Sequence, residues 1–166
     1  DEGVECPLAM ETSGHGALRE NYFLDDGAYL MVRVLIEMAR SKREGKDLID
    51  LLSDLSEPCE SEEFRIGIAG EDFAEYGKKT LDRLNGAAKV HGDWAPAADN
   101  HEGVRFANGE GWFMMRLSLH DPVLPVNMES DRAGGVRKMA GELYGVLEGM
   151  DRLDLSSLEE YIESHR

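Results

Sequence analysis

The sequence predicts an α+β fold whose C-terminal part is a two-layer sandwich, a four-stranded antiparallel sheet with helices on one face. Three observations lead there. Phe64, Ile66 and Ile68 alternate with Arg65 and Gly67, the period of a strand with one buried face. Asn108-Gly109 separates two extended stretches, a strong signal for a two-residue hairpin. Apolar residues recur at helical spacing on either side of these strands, so the order after residue 60 is β-α-β-β-β-α.

The elements follow in chain order. Val4 to Met10 is short, apolar and interrupted by Pro7, and reads as a strand end feeding the Glu11–Gly16 loop. Ala17 to Phe23 is a second short extended piece. Asp25-Asp26-Gly27 opens a helix, since acidic residues suit the positive end of the helix dipole. Ala28, Met31, Val32, Leu35 and Met38 form its apolar stripe, expected to be core, and Gly45 ends it. A short helix over Asp47–Leu52 packs on it. The polar segment Ser53–Ser61, with Pro58, marks a domain boundary, giving regions 1–55 and 60–166.

Beyond that boundary a strand over Glu62–Ala69 leads to a helix. Asp72 and Glu75 form its capping box, and it ends around Val90–Gly92. Extended stretches follow at Glu102–Ala107, Gly111–Ser118 and Val123–Glu129. A helix over Asp131–Gly149 carries Val136, Met139, Leu143 and Leu147 inward. A last helix, Leu155–Glu163, is capped by Ser156 or Ser157.

Composition narrows the function. The chain has 166 residues and is 42% hydrophobic, enough for a real core. A net charge of -16 argues against nucleic-acid partners and against anionic membrane surfaces. Any phosphate ligand would have to be bound by local arginines and backbone amides against this mean charge. Cys6 and Cys59 form no CxxC, and two cysteines suit a reducing, cytoplasmic setting. No apolar run is long enough to span a membrane. The chain starts at Asp1 and reaches a glycine-rich loop within ten residues, from which an interior boundary of a longer protein is expected.

Two stretches carry chemistry. Glu11-Thr12-Ser13-Gly14-His15 packs a carboxylate, a hydroxyl and an imidazole around a glycine. A carboxylate accepts paired hydrogen bonds from adjacent sugar hydroxyls, and an imidazole donates to a phosphate oxygen or moves a proton. The same residues also suit an ordinary polar turn. Arg116-Leu117-Ser118-Leu119-His120-Asp121-Pro122 leaves a strand with Arg116, Ser118 and His120 at alternate positions. A guanidinium fork matches phosphate oxygens in pairs. Its alternative is a sheet-edge arginine paired with one of 34 acidic residues. Five scattered histidines lack zinc spacing, and the acidic clusters lack that of a calcium loop, so no metal site is expected. Trp94 and Trp112 are both read as packing and not sugar-stacking, with Trp94, in a loop, the more open of the two.

With Arg19–Gly27 and the helix behind it, the Glu11–His15 loop resembles the sugar-binding loop in the third domain of the α-D-phosphohexomutases, the phosphomannomutases and phosphoglucomutases. Gly111-Trp112, Arg116-x-Ser118-x-x-Asp121-Pro122 and Glu129 resemble the phosphate-binding loop of that superfamily's fourth domain, usually written RxSxTEP. The resemblance covers nearly the whole chain but only the C-terminal part of such an enzyme. It implies that residues 1–55 are a helical remnant of a preceding α/β domain.

The resemblance further implies that Glu11 and Ser13 hold sugar hydroxyls and that His15 lies near sugar and phosphate, with a proton-transfer role open to it. Arg116 and Ser118 would hold the non-transferred phosphate, with His120 as a substitute donor. The intact enzyme would interconvert hexose 1- and 6-phosphates through glucose or mannose 1,6-bisphosphate. Its phosphoserine and its Mg²⁺ loop belong to N-terminal domains absent from this chain, so the chain alone would be inactive. Leu119, His120, Asp121 and Asn127 depart from the family pattern. They keep open a non-catalytic phosphosugar-binding or assembly module.

Overall fold

The computed structural model describes residues 3, 5–11, 14–88, 93–98, 100 and 102–165. The chain divides into two compact units, Asp1–Ser56 and Glu57–Arg166.

In the first unit, β1 (Leu8–Met10) pairs antiparallel with β2 (Gly16–Leu18), Met10 opposite Gly16. The second extended piece is therefore shorter than predicted: a 3₁₀ turn takes over at Arg19–Asn21. Tyr22 and Phe23 follow, both at positive φ, 54° and 55°. For side chains with a Cβ this region is strained. The pair turns the chain back so that Asp25 bridges Ala17.

Helix α1 (Gly27–Arg43) begins where predicted. The Asp26 carboxylate accepts the Tyr29 amide at 3.0 Å, which satisfies one of the helix's orphan donors. At its end Gly45 has φ 75°, and the Lys46 amide reaches back to the Ser41 carbonyl. The segment after it is a 3₁₀ helix, Leu48–Leu52, with a reciprocal cap between Asp47 and Asp50. The stripe on α1 is not core. Met31, Val32, Leu35 and Met38 are all exposed, because the elements of this unit are too few and too short to cover a helix of 17 residues.

The second unit holds β3 (Glu60–Ile68), α2 (Phe73–Ala88), β4 (Ala95–Pro96), β5 (Val104–Asn108), β6 (Gly111–Met115), β7 (Val123–Ser130), α3 (Gly135–Leu147), β8 (Leu153–Asp154) and α4 (Ser156–Ser164). The sheet is antiparallel and six-stranded, β4-β5-β6-β7-β3-β8, not four-stranded. The two additional strands, β4 and β8, have two residues each. That is too short for an alternation to register in sequence.

Alternate residues of the central strands enter the core: Phe64, Ile66 and Ile68 of β3, Phe113 and Met115 of β6, and Leu124, Val126 and Met128 of β7. Leu84 of α2, Met139, Leu143 and Leu147 of α3, and Leu158 of α4 complete it. Trp94 packs as expected but is the less open of the two tryptophans: it is 4% exposed, lies edge-on to Phe113 with centroids 4.8 Å apart, and donates its indole N–H to Glu142 at 2.8 Å, whereas Trp112 is only partly buried. The Asp93–His101 loop reads as polar in sequence, but its tryptophan closes one end of the core.

Helix starts in this unit are held by distant side chains. Gly134 stands at the α3 N-cap, and Glu60 from β3 supplies the missing acceptor, taking the amides of Gly134 at 2.6 Å and Val136 at 3.0 Å. Helix α4 is capped by neither Ser156 nor Ser157; its N-cap is Leu155. Asp154 accepts both the Ser156 amide and hydroxyl, which keeps its carboxyl below the usual range. At the head of α2 the Asp72 carbonyl takes the Glu75 and Tyr76 amides. The Asp72 carboxylate pairs with Arg152 at 2.7 Å, and that bond lowers its pKa. The predicted helix end at Val90–Gly92 lies outside the described residues. No helix among those residues is long and apolar enough to cross a membrane.

Candidate functional site

In the first unit the Glu11–His15 segment is the loop of the β1–β2 hairpin. The Glu11 amide donates to the His15 carbonyl at 2.9 Å, and the Gly14 amide to the Glu11 carbonyl at 3.0 Å. Gly14 has φ 91°, a conformation that favours glycine and lets the loop close in so few residues. Ser13 lies outside the described residues.

Glu11 and His15 line one cleft of about 260 Å³ with Ala9, Met10, Gly16, Ala17 and Asp25. Asp25 is a member the sequence reading assigned only to the helix start. Its Oδ2 lies 2.7 Å from His15 Nδ1. A carboxylate only accepts, so Nδ1 carries the proton and Nε2 is left to accept or, in the cation, to donate. The hydrogen bond that His15 donates to Asp25, followed by the charge of Asp25 and that of Glu11, raises the His15 pKa above 6.5. Both side chains are largely in water, 64% and 57% exposed.

The sign of the linkage is therefore set. The protonated pair stabilises this unit fully below the unfolded value near 6.5. That contribution is lost as pH rises through the higher folded value. Asp25→Asn is expected to return the His15 pKa toward its ordinary value, measured by an NMR titration of the ring carbons. An unchanged midpoint would mean that Asp25 does not govern the imidazole.

In the second unit the predicted strand over Gly111–Ser118 stops at Met115. Two further hydrogen bonds prolong its alignment with β7, from the Arg116 amide to Pro125 at 3.1 Å and from the Ser118 amide to Val123 at 3.1 Å. Leu117 packs on the core over Gly77 of α2. Alternation then turns Arg116 and Ser118 to the other side. It ends there, because Leu119 is 85% exposed. His120 is thus placed by the loop and not by strand period. Ser118 Oγ accepts the Asp121 amide at 3.2 Å and the His120 amide at 3.5 Å. This turn orders the loop and leaves the Ser118 hydroxyl proton to donate.

The Arg116 side chain is 38% exposed, and one of its terminal nitrogens lies 3.5 Å from the Glu102 carboxylate. Glu102 and its neighbour Gly103 are further members that the sequence reading missed, since they only open a predicted strand. Asn127 donates its amide to Glu63 at 3.4 Å.

Among the described residues, no three His, Cys, Asp or Glu side chains gather as a metal centre needs.

No family model matches the chain. A phosphoglucomutase of Neisseria meningitidis is 27% identical over 147 residues, 88% of this chain and 30% of that protein. A phosphomannomutase/phosphoglucomutase of Pseudomonas putida is 31% identical over 128 residues, 75% of this chain and 25% of that protein. A solved phosphoglucomutase/phosphomannomutase family structure from Burkholderia thailandensis aligns with a TM-score of 0.65 at 25% identity. It matches 86% of this chain and 28% of that one. The chain thus spans about 30% of the length of the first curated relatives it matches.

Proposed function

On the premise that the chain is a homologue of the phosphoglucomutase/phosphomannomutase family, we propose that it is the C-terminal, substrate-holding part of a phosphohexomutase. The intact protein interconverts hexose 1-phosphate and 6-phosphate, of mannose or glucose, through a hexose 1,6-bisphosphate. Residues 1–55 belong to its sugar-binding third domain and residues 60–166 to its phosphate-binding fourth domain. Glu11 and Ser13 accept sugar hydroxyls. His15, oriented by Asp25, lies near the reacting end and holds or moves a proton at Nε2. Arg116, the Ser118 hydroxyl and His120 hold the phosphate that is not transferred.

Such chemistry is chiefly positioning and charge stabilisation. The nucleophile and the magnesium site lie in other domains of the intact protein. The chain alone binds phosphosugar and turns nothing over.

The Arg116–Asp121 loop is the observation that carries this reading. A partly exposed guanidinium with, among the described residues, one carboxylate contact at 3.5 Å stands beside a serine whose oxygen already orders two loop amides. That leaves donors for an anion in an otherwise acidic protein. Titration of the chain with mannose 6-phosphate, followed by NMR, tests it. Shifts are expected in residues 116–121 and in Gly14–Gly16. Their absence from both segments would end the sugar-phosphate reading.

One feature favours a non-catalytic phosphosugar-binding module as the second reading. Where the family carries an arginine after the proline, Asn127 here is turned to Glu63. Phosphoryl transfer between hexose phosphates by the full-length protein separates the two readings.

A further inference from the structure

Residues 102 and 103 lie just before β5, and Arg116 just after β6. Val104 is paired with Met115 in the register of the two strands, so Gly103 comes level with Arg116. Gly103 has φ 65°, and a Cβ there would stand 2.2 Å from the Met115 carbonyl oxygen and 2.8 Å from Arg116 Cα. No side chain fits that space. The Asn100 amide fixes the turn by donating to the Gly103 carbonyl at 2.7 Å. The backbone thus brings residue 102 against the base of Arg116, and its carboxylate reaches the guanidinium at 3.5 Å. The Glu102 side chain is otherwise in water, 65% exposed.

We propose that Glu102 is a resident anion on Arg116, which an incoming phosphate must displace, and that it thereby sets the affinity threshold of this loop. The proposal rests on the reading of residues 116–121 as a phosphate cradle and adds a residue that opposes binding. A carboxylate touching one guanidinium nitrogen leaves the rest of the fork to compete for. A phosphate dianion that engages the fork in pairs, with Ser118 beside it, displaces a single carboxylate contact. A neutral hydroxyl offers too little to do so. The cradle thereby discriminates for charge in a protein whose mean field is already negative.

The test is titration of the full chain with inorganic phosphate, monitored by the Ser118, His120 and Asp121 amides, at low salt. Glu102→Gln is expected to tighten binding about two- to fivefold, the range of an exposed ion pair removed as competitor, and less so at high salt. Arg116→Ala should abolish the shifts, and Glu102→Gln should restore nothing in that background. Equal or weaker binding by Glu102→Gln, with Arg116→Ala still inert, would overturn the competitor role and leave the cradle intact. Tightening that persists in the Arg116→Ala background would be a general charge effect and would overturn it too. Shifts unchanged by Arg116→Ala, or absent from every variant, would remove the cradle itself.

Discussion

Arg116→Ala is expected to weaken mannose 6-phosphate binding by about 10- to 100-fold, the largest functional effect of any single change in this chain. The size is that of one such bond lost: a hydrogen bond to a charged partner contributes about 1.5–3 kcal/mol, and solvent at a partly exposed site screens the second bond of the fork. The competing Glu102 contact is lost in the same variant, which offsets a small part of the effect. Arg116→Lys keeps the charge but not the fork, and should recover only part of the affinity. The side chain is half-exposed, and the backbone bond from residue 116 to Pro125 does not depend on it. The fold of the second unit should therefore be unaffected, which a denaturation curve checks. Calorimetry supplies the affinity. A fall of less than threefold in Arg116→Ala would mean that Arg116 does not anchor the phosphate.

Trp94→Ala should cost the most stability, about 3–5 kcal/mol. Trp94 packs against Phe106 and Phe113, at centroid distances of 5.7 and 4.8 Å, and it is almost wholly buried. Truncation would leave a void bounded by two rings that are held in adjacent paired strands and cannot collapse into it. It would also leave Glu142 without its indole donor. Urea unfolding followed by circular dichroism measures the loss. Trp94→Phe keeps ring contact without the N–H and should cost less. A loss below 1 kcal/mol in Trp94→Ala would contradict the packing described.

The elements that were legible in the sequence are those with a long local signature. The alternation of Phe64, Ile66 and Ile68, the hairpin signalled by Asn108-Gly109 and the Asp26 cap each depend on neighbours a few residues away, and each appears in the structure. In the hairpin, however, Asn108 pairs with Gly111, and the two turn residues are Gly109-Glu110, one position later than expected. What escaped depends on partners far along the chain. β4 and β8 exist because longer strands offer them free edges. Trp94 is buried because β5 and β6 come to it. The fate of the α1 stripe turned on what else was present to cover it, which periodicity does not report.

The candidate site divides in the same way. Glu11, His15, Arg116 and Ser118 are candidates on side-chain chemistry and are singled out by the family resemblance. Asp25 and Glu102 could not be named as site members: one arrives through the left-handed turn at Tyr22-Phe23, the other through the approach that Gly103 permits.

The hold of Glu60 on the first turn of α3 spans 74 residues of chain. Until β3 docks, the Gly134 and Val136 amides lack the acceptor that Glu60 gives them, and only Gly135 has a local one in the Arg132 carbonyl, so strand and helix must consolidate together and late, after an expensive closure. In amide exchange with heavy water, Val136 should therefore open with the sheet as one cooperative block and should not fray on its own as helix ends ordinarily do.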